Sequence, residues 1–298
     1  MKNLYNLEKV RKAFNDGDNI FEHLKREDLD LDKRDKVLIS YDFQAGLYIK
    51  NVKKDPTYVN MYTKTIADII SKLGKFNSIM EAGVGEATTL THLIPKLNSP
   101  QINSLGFDIS WSRIKNGQRY LQSKGLEKTE LFVGDMFNIP LPDNSIDIIY
   151  TSHSIESNGG KEQEILKELH RVCSKYIVLL EPSFNFGNDE NKVRMLKYGY
   201  ITNLKPTADL LGYSVFEYRL FEHSRNPLNP TELIIIEKES KQVNNQAYFR
   251  CPITFEKLHR NDDVFYSDNG LFVYPQISGV PCLLPENAIL ATKYPEFL

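Results

Sequence analysis

Two glycines follow an acidic residue between a short apolar run and a segment with helical spacing. The apolar run ends at Glu81, Gly83 and Gly85 come next, and residues 87–97 have the periodicity of a helix. Glycine suits a tight turn here because it adopts positive φ angles and lets a ligand approach the backbone. The helix that follows directs free N–H groups at the turn. The sequence therefore predicts a strand, a turn and a helix that bind a nucleotide-type cofactor.

The acid two residues before the first glycine separates this loop from a dinucleotide fingerprint. That fingerprint has Gly or Ala at its sixth position, where Thr88 stands here, and has no use for Glu81. The pattern Glu-x-Gly-x-Gly resembles the first motif of the Rossmann-like S-adenosylmethionine-dependent methyltransferases, in which the acid faces the cationic methionine end of the cofactor. A purely structural turn between strand and helix is the alternative interpretation.

Three further apolar runs lie near acidic residues. Residues 105–110 contain Asp108, about 25 residues after the first glycine, which is close to the spacing at which an acid reaches a ribose. Residues 131–136 lead to Asp135, and residues 139–150 pass through a Pro-Asp-Asn turn into a fourth strand. This last segment resembles the Leu-Pro-x-x-x-x-x-Asp segment of the ubiquinone and menaquinone biosynthesis methyltransferases and their small-molecule relatives. The resemblance covers roughly residues 40–237.

The resemblance implies S-adenosylmethionine as cofactor and a role for each motif residue. The methionine moiety would be held by Glu81, Gly83 and Gly85, and the ribose by Asp108. The other implied contacts are the adenine faces with Ile109 and Met136, the adenine amino group with Asp135, and the amino-acid end with the chain at Thr151. An ordinary turn at Asp135 and plain core packing of Ile109 and Met136 are the alternatives.

Residues 1–57 are predicted to form a helical N-terminal extension. Its segment 39–48 is rich in aromatic and amide side chains. In the resembled methyltransferases an aromatic residue of such an extension closes over the cofactor, which implies that Tyr41, Gln44 and Tyr48 line the site. The alternative is that these aromatic side chains only pack the extension onto the core.

A polar segment, residues 152–156, follows the fourth strand at the place where an acceptor would meet the methyl group. His153 is the best general-base candidate because an imidazole with a pKa of about 6.5 accepts a proton at neutral pH. A histidine that only orients the loop is the alternative. Glu156 is the second candidate catalytic residue, since it could hold that imidazole or bind a substrate amine.

Strands and helices alternate over residues 58–240. This alternation predicts an α/β fold, a mostly parallel Rossmann-like sheet with helices on both faces. The runs 213–221 and 231–237 have so short a connection that they must pair antiparallel, which gives the sheet an antiparallel last strand. Ligands of such sheets bind at the carboxyl ends of the strands, where all the acids named above fall. Residues 238–247 are polar and are interpreted as a linker.

Residues 248–298 are predicted to be a small C-terminal α+β ribbon-like domain. They resemble the small zinc-ribbon activator family that partners methyltransferases of the translation machinery, with a good match in the second half, 269–288. That family opens with Cys-Pro-x-Cys, but Thr254 takes the second cysteine position here, and Cys251, Cys282 and His259 lack ligand-pair spacing. We therefore expect no metal site. We expect the domain to dock its apolar face on the larger domain by adding a strand to a sheet edge.

Composition limits the classes of partner and of cellular location. The 298 residues are 41% apolar and carry a net charge of −2 with a pI of about 6.3, so no broad basic field indicates a nucleic-acid partner. The first residues lack a signal-peptide core, and no apolar run is long enough to span a membrane. Only three cysteines occur, which suits a reducing compartment. We expect a cytoplasmic protein without a membrane partner.

Three functional hypotheses follow. The first is a methyltransferase that transfers a methyl group from S-adenosylmethionine to a small molecule or glycan precursor. The second is a methyltransferase acting on RNA or on a protein of the translation machinery, which only the activator-like C-terminal part suggests. The third is a non-catalytic interaction module that binds S-adenosylmethionine. The fourth strand lacks the Asn-Pro-Pro-Tyr type of ending that marks enzymes methylating base amines or glutamine amides, which counts against such substrates.

Overall fold

The computed structural model describes residues 7–26, 31–97, 101–239, 248–267 and 269–298. The predicted linker, 238–247, lies mostly outside them. The helices are α1 (Leu7–Asn15), α2 (Ile20–Arg26), α3 (Lys33–Phe43), α4 (Leu47–Lys54), α5 (Thr57–Ser71), α6 (Thr88–Leu93), α7 (Trp111–Gln122), α8 (Glu162–Val172), α9 (Asp189–Tyr198) and α10 (Leu204–Leu210). The strands are β1 (Ser78–Ala82), β2 (Asn103–Asp108), β3 (Glu130–Val133), β4 (Ile146–Ser152), β5 (Cys173–Pro182), β6 (Ser214–Leu220), β7 (Thr231–Glu237), β8 (Leu258–Asn261), β9 (Val264–Ser267), β10 (Phe272–Ile277), β11 (Val280–Pro281) and β12 (Ile289–Leu290).

Strands β1 to β7 form one sheet in the order β3-β2-β1-β4-β5-β7-β6. Strands β1 to β5 are parallel, and β7 runs antiparallel to both β5 and β6. The predicted α/β sheet with its antiparallel last strand is confirmed. Because five strands are parallel, their carboxyl ends meet at one edge, where the predicted site residues lie.

Helices cover both faces of this sheet. On one face Ile165 of α8 and Leu204 of α10 belong to the core cluster, and on the other Ile66 of α5, Leu90 of α6 and Ile114 of α7 do so. The central strands β4 and β5 are buried almost throughout. Strands covered on both faces are continuous apolar runs, which is why the sequence shows them without alternation.

The four helices between residues 7 and 54 precede this sheet. The Asp32 side chain accepts a hydrogen bond from the Asp35 N–H and begins α3. Helix α4 has no capping side chain of its own. The Glu86 carboxylate caps it from a distance, accepting hydrogen bonds from the Gly46 and Ile49 N–H groups, both at 2.9 Å. The extension is thereby fixed to the residue after Gly85.

The C-terminal part is a small antiparallel sheet in the order β11-β10-β9-β8, with β12 paired to β10. Its described residues contain two short 3-10 turns and no α-helix. The antiparallel sheet partly supports the predicted ribbon-like domain, but the helical share of its predicted α+β character is missing from the described residues. Pro285 begins the first turn and Pro295 is the second residue of the other, and neither turn exceeds four residues.

The C-terminal part packs on the edge of the seven-stranded sheet. Cys282 forms a parallel bridge with Val133 of the edge strand β3, and the Leu283 N–H donates to the Val133 carbonyl at 3.0 Å. Side chains of α7 reinforce the contact, since Gln118 Nε2 donates to the Gly279 carbonyl at 2.9 Å. A covered edge cannot pair with another chain.

A buried thiol takes the place of the first zinc ligand of the resembled family. The Cys251 Sγ lies 3.2 Å from the Tyr274 hydroxyl and accepts a hydrogen bond from the Thr254 N–H at 3.3 Å. Within the described ranges, no group of three or more His, Cys, Asp or Glu side chains is placed to hold a metal ion. Likewise, none of the described helices is both long and apolar enough to cross a bilayer.

Aromatic packing joins the two parts of the chain. The Phe249 ring centroid lies 5.0 Å from that of Phe132 on β3 and 5.3 Å from that of Phe265 on β9. Phe249 is 7% exposed and belongs to the core cluster of the larger sheet. The two parts therefore share apolar core.

Replacing Phe249 with alanine should lower the free energy of unfolding of the whole chain by about 3–5 kcal/mol, because the change opens a cavity in the shared core. Urea denaturation followed by tryptophan fluorescence and circular dichroism measures this. The matched control Phe297→Ala removes a ring that is 83% exposed and should change stability by less than about 0.5 kcal/mol. Equal stability of the Phe249→Ala variant and the control would contradict a shared core.

Candidate functional site

A cavity of about 580 Å³ opens at the carboxyl ends of β1, β2 and β4, beneath α3 and α4. This volume lies within the range of sites for small molecules and cofactors. The cavity is lined by these predicted residues: Tyr41, Tyr48, Glu81, Gly83, Gly85, Asp108, Ile109, Asp135, Met136, His153 and Glu156. Two predicted residues do not line it. Gln44 ends α3, and Thr151 is fully buried within β4, while its neighbour Ser152 reaches the cavity.

The glycine turn has no room for side chains. Gly83 has a φ of 74° and Gly85 a φ of 53°. A Cβ atom at Gly83 would lie 2.4 Å from the Ser154 Cβ, and one at Gly85 would lie 3.2 Å from the Arg113 guanidinium carbon. Both the backbone conformation and the surroundings therefore require glycine.

Glu81 is a buried acid on the cavity wall. Its Oε2 accepts a hydrogen bond from the Tyr150 hydroxyl at 2.7 Å. Burial outweighs this bond and raises the pKa of Glu81 to about 8. The carboxyl is consequently protonated at neutral pH, and a cationic ligand beside it would favour the ionised form.

Asp108 holds the turn as well as facing the cavity. Its Oδ2 accepts a hydrogen bond from the Gly85 N–H at 3.0 Å, and its Oδ1 accepts one from the Ser110 N–H at 2.9 Å. An ionised carboxylate has about four acceptor sites, so two remain for ligand hydroxyls.

Asp135 is already bound by a residue that the sequence analysis missed. The Arg34 Nε donates to Asp135 Oδ2 at 3.0 Å, and the Arg34 Nη2 lies 2.7 Å from Glu286 Oε1 of the C-terminal part. The Phe137 N–H donates to the other Asp135 oxygen at 3.0 Å. The predicted adenine contact of Asp135 stays a prediction, and it requires that Asp135 share or exchange its contact with Arg34.

Arg113 is the second residue that the sequence analysis missed. It is 8% exposed, and its guanidinium carbon lies 4.8 Å from the Tyr41 ring centroid and 4.7 Å from that of Tyr48. These cation–π contacts fix both tyrosines over the glycine turn. The available signal was an arginine on the buried stripe of α7, next to Ile114 and one turn before Gly117.

His153 lies at the end of β4 with a φ of 52°. Its Nε2 lies 2.8 Å from Thr231 Oγ1, and its Nδ1 lies 3.4 Å from Glu156 Oε2. Burial lowers the pKa of His153, but the hydrogen bond and charge of Glu156 and the charge of Glu181 outweigh burial and raise it overall. Both ring nitrogens thus have partners. The general-base role of His153 stays a prediction.

Comparison with known proteins identifies this cavity-forming segment. Residues 79–175 match the family model described as a methyltransferase domain. This part of the chain is thus similar to a methyltransferase domain. The surroundings of the cavity fit S-adenosylmethionine, with a glycine turn that excludes side chains and a buried acid that a sulfonium would ionise.

Two curated relatives match part of the chain. A demethylmenaquinone methyltransferase of Geobacillus stearothermophilus is 30% identical over 132 residues, which are 42% of this chain and 53% of that protein. An ajmaline N-methyltransferase of Rauvolfia serpentina is 31% identical over 101 residues, 34% of this chain and 33% of that protein. The chain spans about half or less of the length of these relatives.

A solved structure supports the fold of the methyltransferase domain. A chain from the complex between a Haloferax volcanii methyltransferase activator and a methyltransferase has a TM-score of 0.50. It is 12% identical, and the match covers 65% of this chain and 93% of that chain. At this identity the similarity concerns the fold alone.

The Asp108→Ala variant should bind S-adenosylhomocysteine at least about tenfold more weakly than the native protein, because charge-assisted hydrogen bonds contribute about 1.5–3 kcal/mol each. Isothermal titration calorimetry measures the loss. The control Asp209→Ala removes a carboxylate that is 53% exposed on α10 and should leave affinity unchanged. Unaltered binding by Asp108→Ala would remove Asp108 from the cofactor site, and NAD binding would contradict the assignment of the cofactor.

The affinity for S-adenosylmethionine should rise with pH up to about 8 and then level off. Below pH 8 the raised pKa leaves Glu81 protonated, so a cationic ligand must displace that proton when it binds. Calorimetry at several pH values in buffers of different ionisation enthalpy measures the released proton. Glu81→Gln has no proton to release and should remove the slope. A pH-independent affinity of the native protein would show that Glu81 does not face the cation.

Proposed function

We propose that the chain catalyses methyl transfer from S-adenosylmethionine to a small-molecule acceptor. The observation that carries the proposal is a single cavity in which the glycine turn, three acidic residues from strand ends and the covering tyrosines meet. Two relatives named for the methylation of small molecules, a demethylmenaquinone and an alkaloid, support the acceptor class.

The cofactor would lie along the carboxyl ends of β1, β2 and β3. Bound S-adenosylmethionine supplies an electrophilic methyl group on a sulfonium. Glu81 and the glycine turn would hold its methionine end, Asp108 its ribose, and Ile109, Asp135 and Met136 its adenine. Each of these residues lines the cavity.

The chain's own contribution is alignment and the exclusion of water. Tyr41 and Tyr48 cover the turn through Arg113, and Glu86 fixes the start of α4 over it. These contacts come from α3 and α4, so we propose residues 1–57 as a cover for the catalytic domain formed by 58–240. Residues 248–298 would be a structural partner within the same chain. All three cysteines are unpaired, which supports a reducing, cytoplasmic location.

Incubation of the purified chain with methyl-labelled S-adenosylmethionine tests the proposal. We expect label to enter a small-molecule metabolite fraction, and the Asp108→Ala variant to transfer at least about tenfold less because it binds the cofactor poorly. Label in an RNA or ribosomal-protein fraction would instead favour a macromolecular acceptor. Cofactor binding without transfer to any fraction would favour a non-catalytic module.

A further inference from the structure

The acceptor end of the cavity contains a carboxylate in a fixed orientation. Glu156 lines the cavity with its side chain 15% exposed. Its Oε2 lies 3.4 Å from Asn229 Nδ2 and 3.4 Å from His153 Nδ1. The Asn229 amide is itself oriented, because its Oδ1 accepts a hydrogen bond from Arg194 at 3.0 Å. Among the described residues none donates to Glu156 Oε1, so this oxygen is available to a ligand.

Both nitrogens of the imidazole beside Glu156 have partners within the protein. His153 contacts Thr231 through Nε2 and Glu156 through Nδ1, so neither nitrogen is free to take a proton from an acceptor. A second buried acid, Glu181, lies close enough for its charge to raise the pKa of His153. Glu156 and Glu181 both act on the His153 imidazole through their charge, although burial raises the pKa of Glu181 to about 7.

Aromatic rings line the same cavity as Glu156. Tyr41, Tyr58 and Tyr62 line the same cavity. Burial raises the pKa of Tyr41, and the nearby charge of Glu156 raises it further, so Tyr41 stays neutral. Aromatic faces attract cations, and a carboxylate repels phenolates and acids.

Cationic side chains at the cavity do not cancel the negative charge of Glu156. Lys161 pairs with Glu164 at 2.7 Å, and Lys33 donates to the Gly199 carbonyl at 3.2 Å. Arg225 is exposed, and its guanidinium carbon lies 6.0 Å from the Tyr58 ring centroid. These groups stand at the solvent rim, where salt screens their charge. Arg34 is paired with Asp135, and Arg113 lies near Asp108 with its guanidinium carbon 4.8 Å from the Tyr41 ring centroid.

We propose that the acceptor is an amine, with Glu156 as the catalytic residue that binds it and His153 as the residue that positions Glu156. The proposal rests on the proposed methyltransferase function. The bound ammonium first loses one proton to solvent, and Glu156 Oε1 accepts an N–H of the resulting amine and thereby orients the nitrogen lone pair. That lone pair forms the new C–N bond, the C–S bond breaks with its electrons going to sulfur, and the methylated ammonium loses its proton to solvent. The Glu156 charge stabilises the positive charge that develops on nitrogen.

Three probes that share a phenethyl group and differ in charge test the preference: phenethylamine, 2-phenylethanol and 3-phenylpropionate. Calorimetry in the presence of saturating S-adenosylhomocysteine should show the amine binding at least about tenfold more tightly than the other two. In parallel, labelled methyl groups from a metabolite extract should appear in the fraction that a cation exchanger retains. Equal binding of the three probes, or label confined to neutral and anionic metabolites, would overturn the proposal.

Variants separate this proposal from the proposed function. Glu156→Gln should lose the preference for the amine while binding S-adenosylhomocysteine as the native protein does. The control Glu296→Gln, a side chain 62% exposed near residue 298 and outside the cavity lining, should keep both properties. His153→Ala should weaken amine binding, and His153→Asn should restore much of it, since an amide N–H can still donate to Glu156. An amine preference that survives Glu156→Gln would refute the role of Glu156. A native protein that does not bind S-adenosylhomocysteine would instead refute the methyltransferase function itself.

Discussion

Buried carboxylates that accept backbone N–H groups fix the turns around the cavity. Asp108 holds the Gly85 N–H, Glu181 holds the Ser154 N–H at 3.1 Å, and Glu86 holds the first N–H groups of α4. Each bond joins segments that are 23 to 40 residues apart. A buried charge without such bonds would be strongly unfavourable, so these turns and acids stabilise one another. The shape of the cavity depends on these hydrogen bonds from backbone N–H groups to carboxylates of other segments.

Glu81 is buried like these carboxylates. Burial raises its pKa to about 8 despite the hydrogen bond from Tyr150, so its charge state responds to a ligand. A cation entering the cavity would gain most at this position, which lies directly before the glycine turn.

Much of the fold was predictable because its signals are local. Strand β2 contains the predicted apolar run up to Asp108, since that run is buried along almost its whole length. The motif residues meet at one edge because parallel strands end there. The partners of those residues were not predictable. Arg34 reaches Asp135 across 101 positions of sequence, and Arg113 reaches Tyr41 and Tyr48 through tertiary packing that leaves no periodic signal. The same limit explains why Gln44 and Thr151 were placed in the cavity. Their segments reach the cavity, but Gln44 lies at the end of α3, and the side chain of Thr151 is buried in the sheet.

Arg34 links both ends of the chain to the adenine side of the proposed cofactor site. Its guanidinium contacts Asp135, which follows the edge strand β3, and Glu286, which follows the segment paired to that strand. Both pairs are partly exposed, and ion pairs of this kind contribute only about 0.2–1 kcal/mol. A ligand that binds Asp135 can therefore replace Arg34 at small cost, and Glu286 can keep the displaced guanidinium nearby. The C-terminal part thus does more than cover a sheet edge, because its Glu286 contacts the same guanidinium that pairs with Asp135.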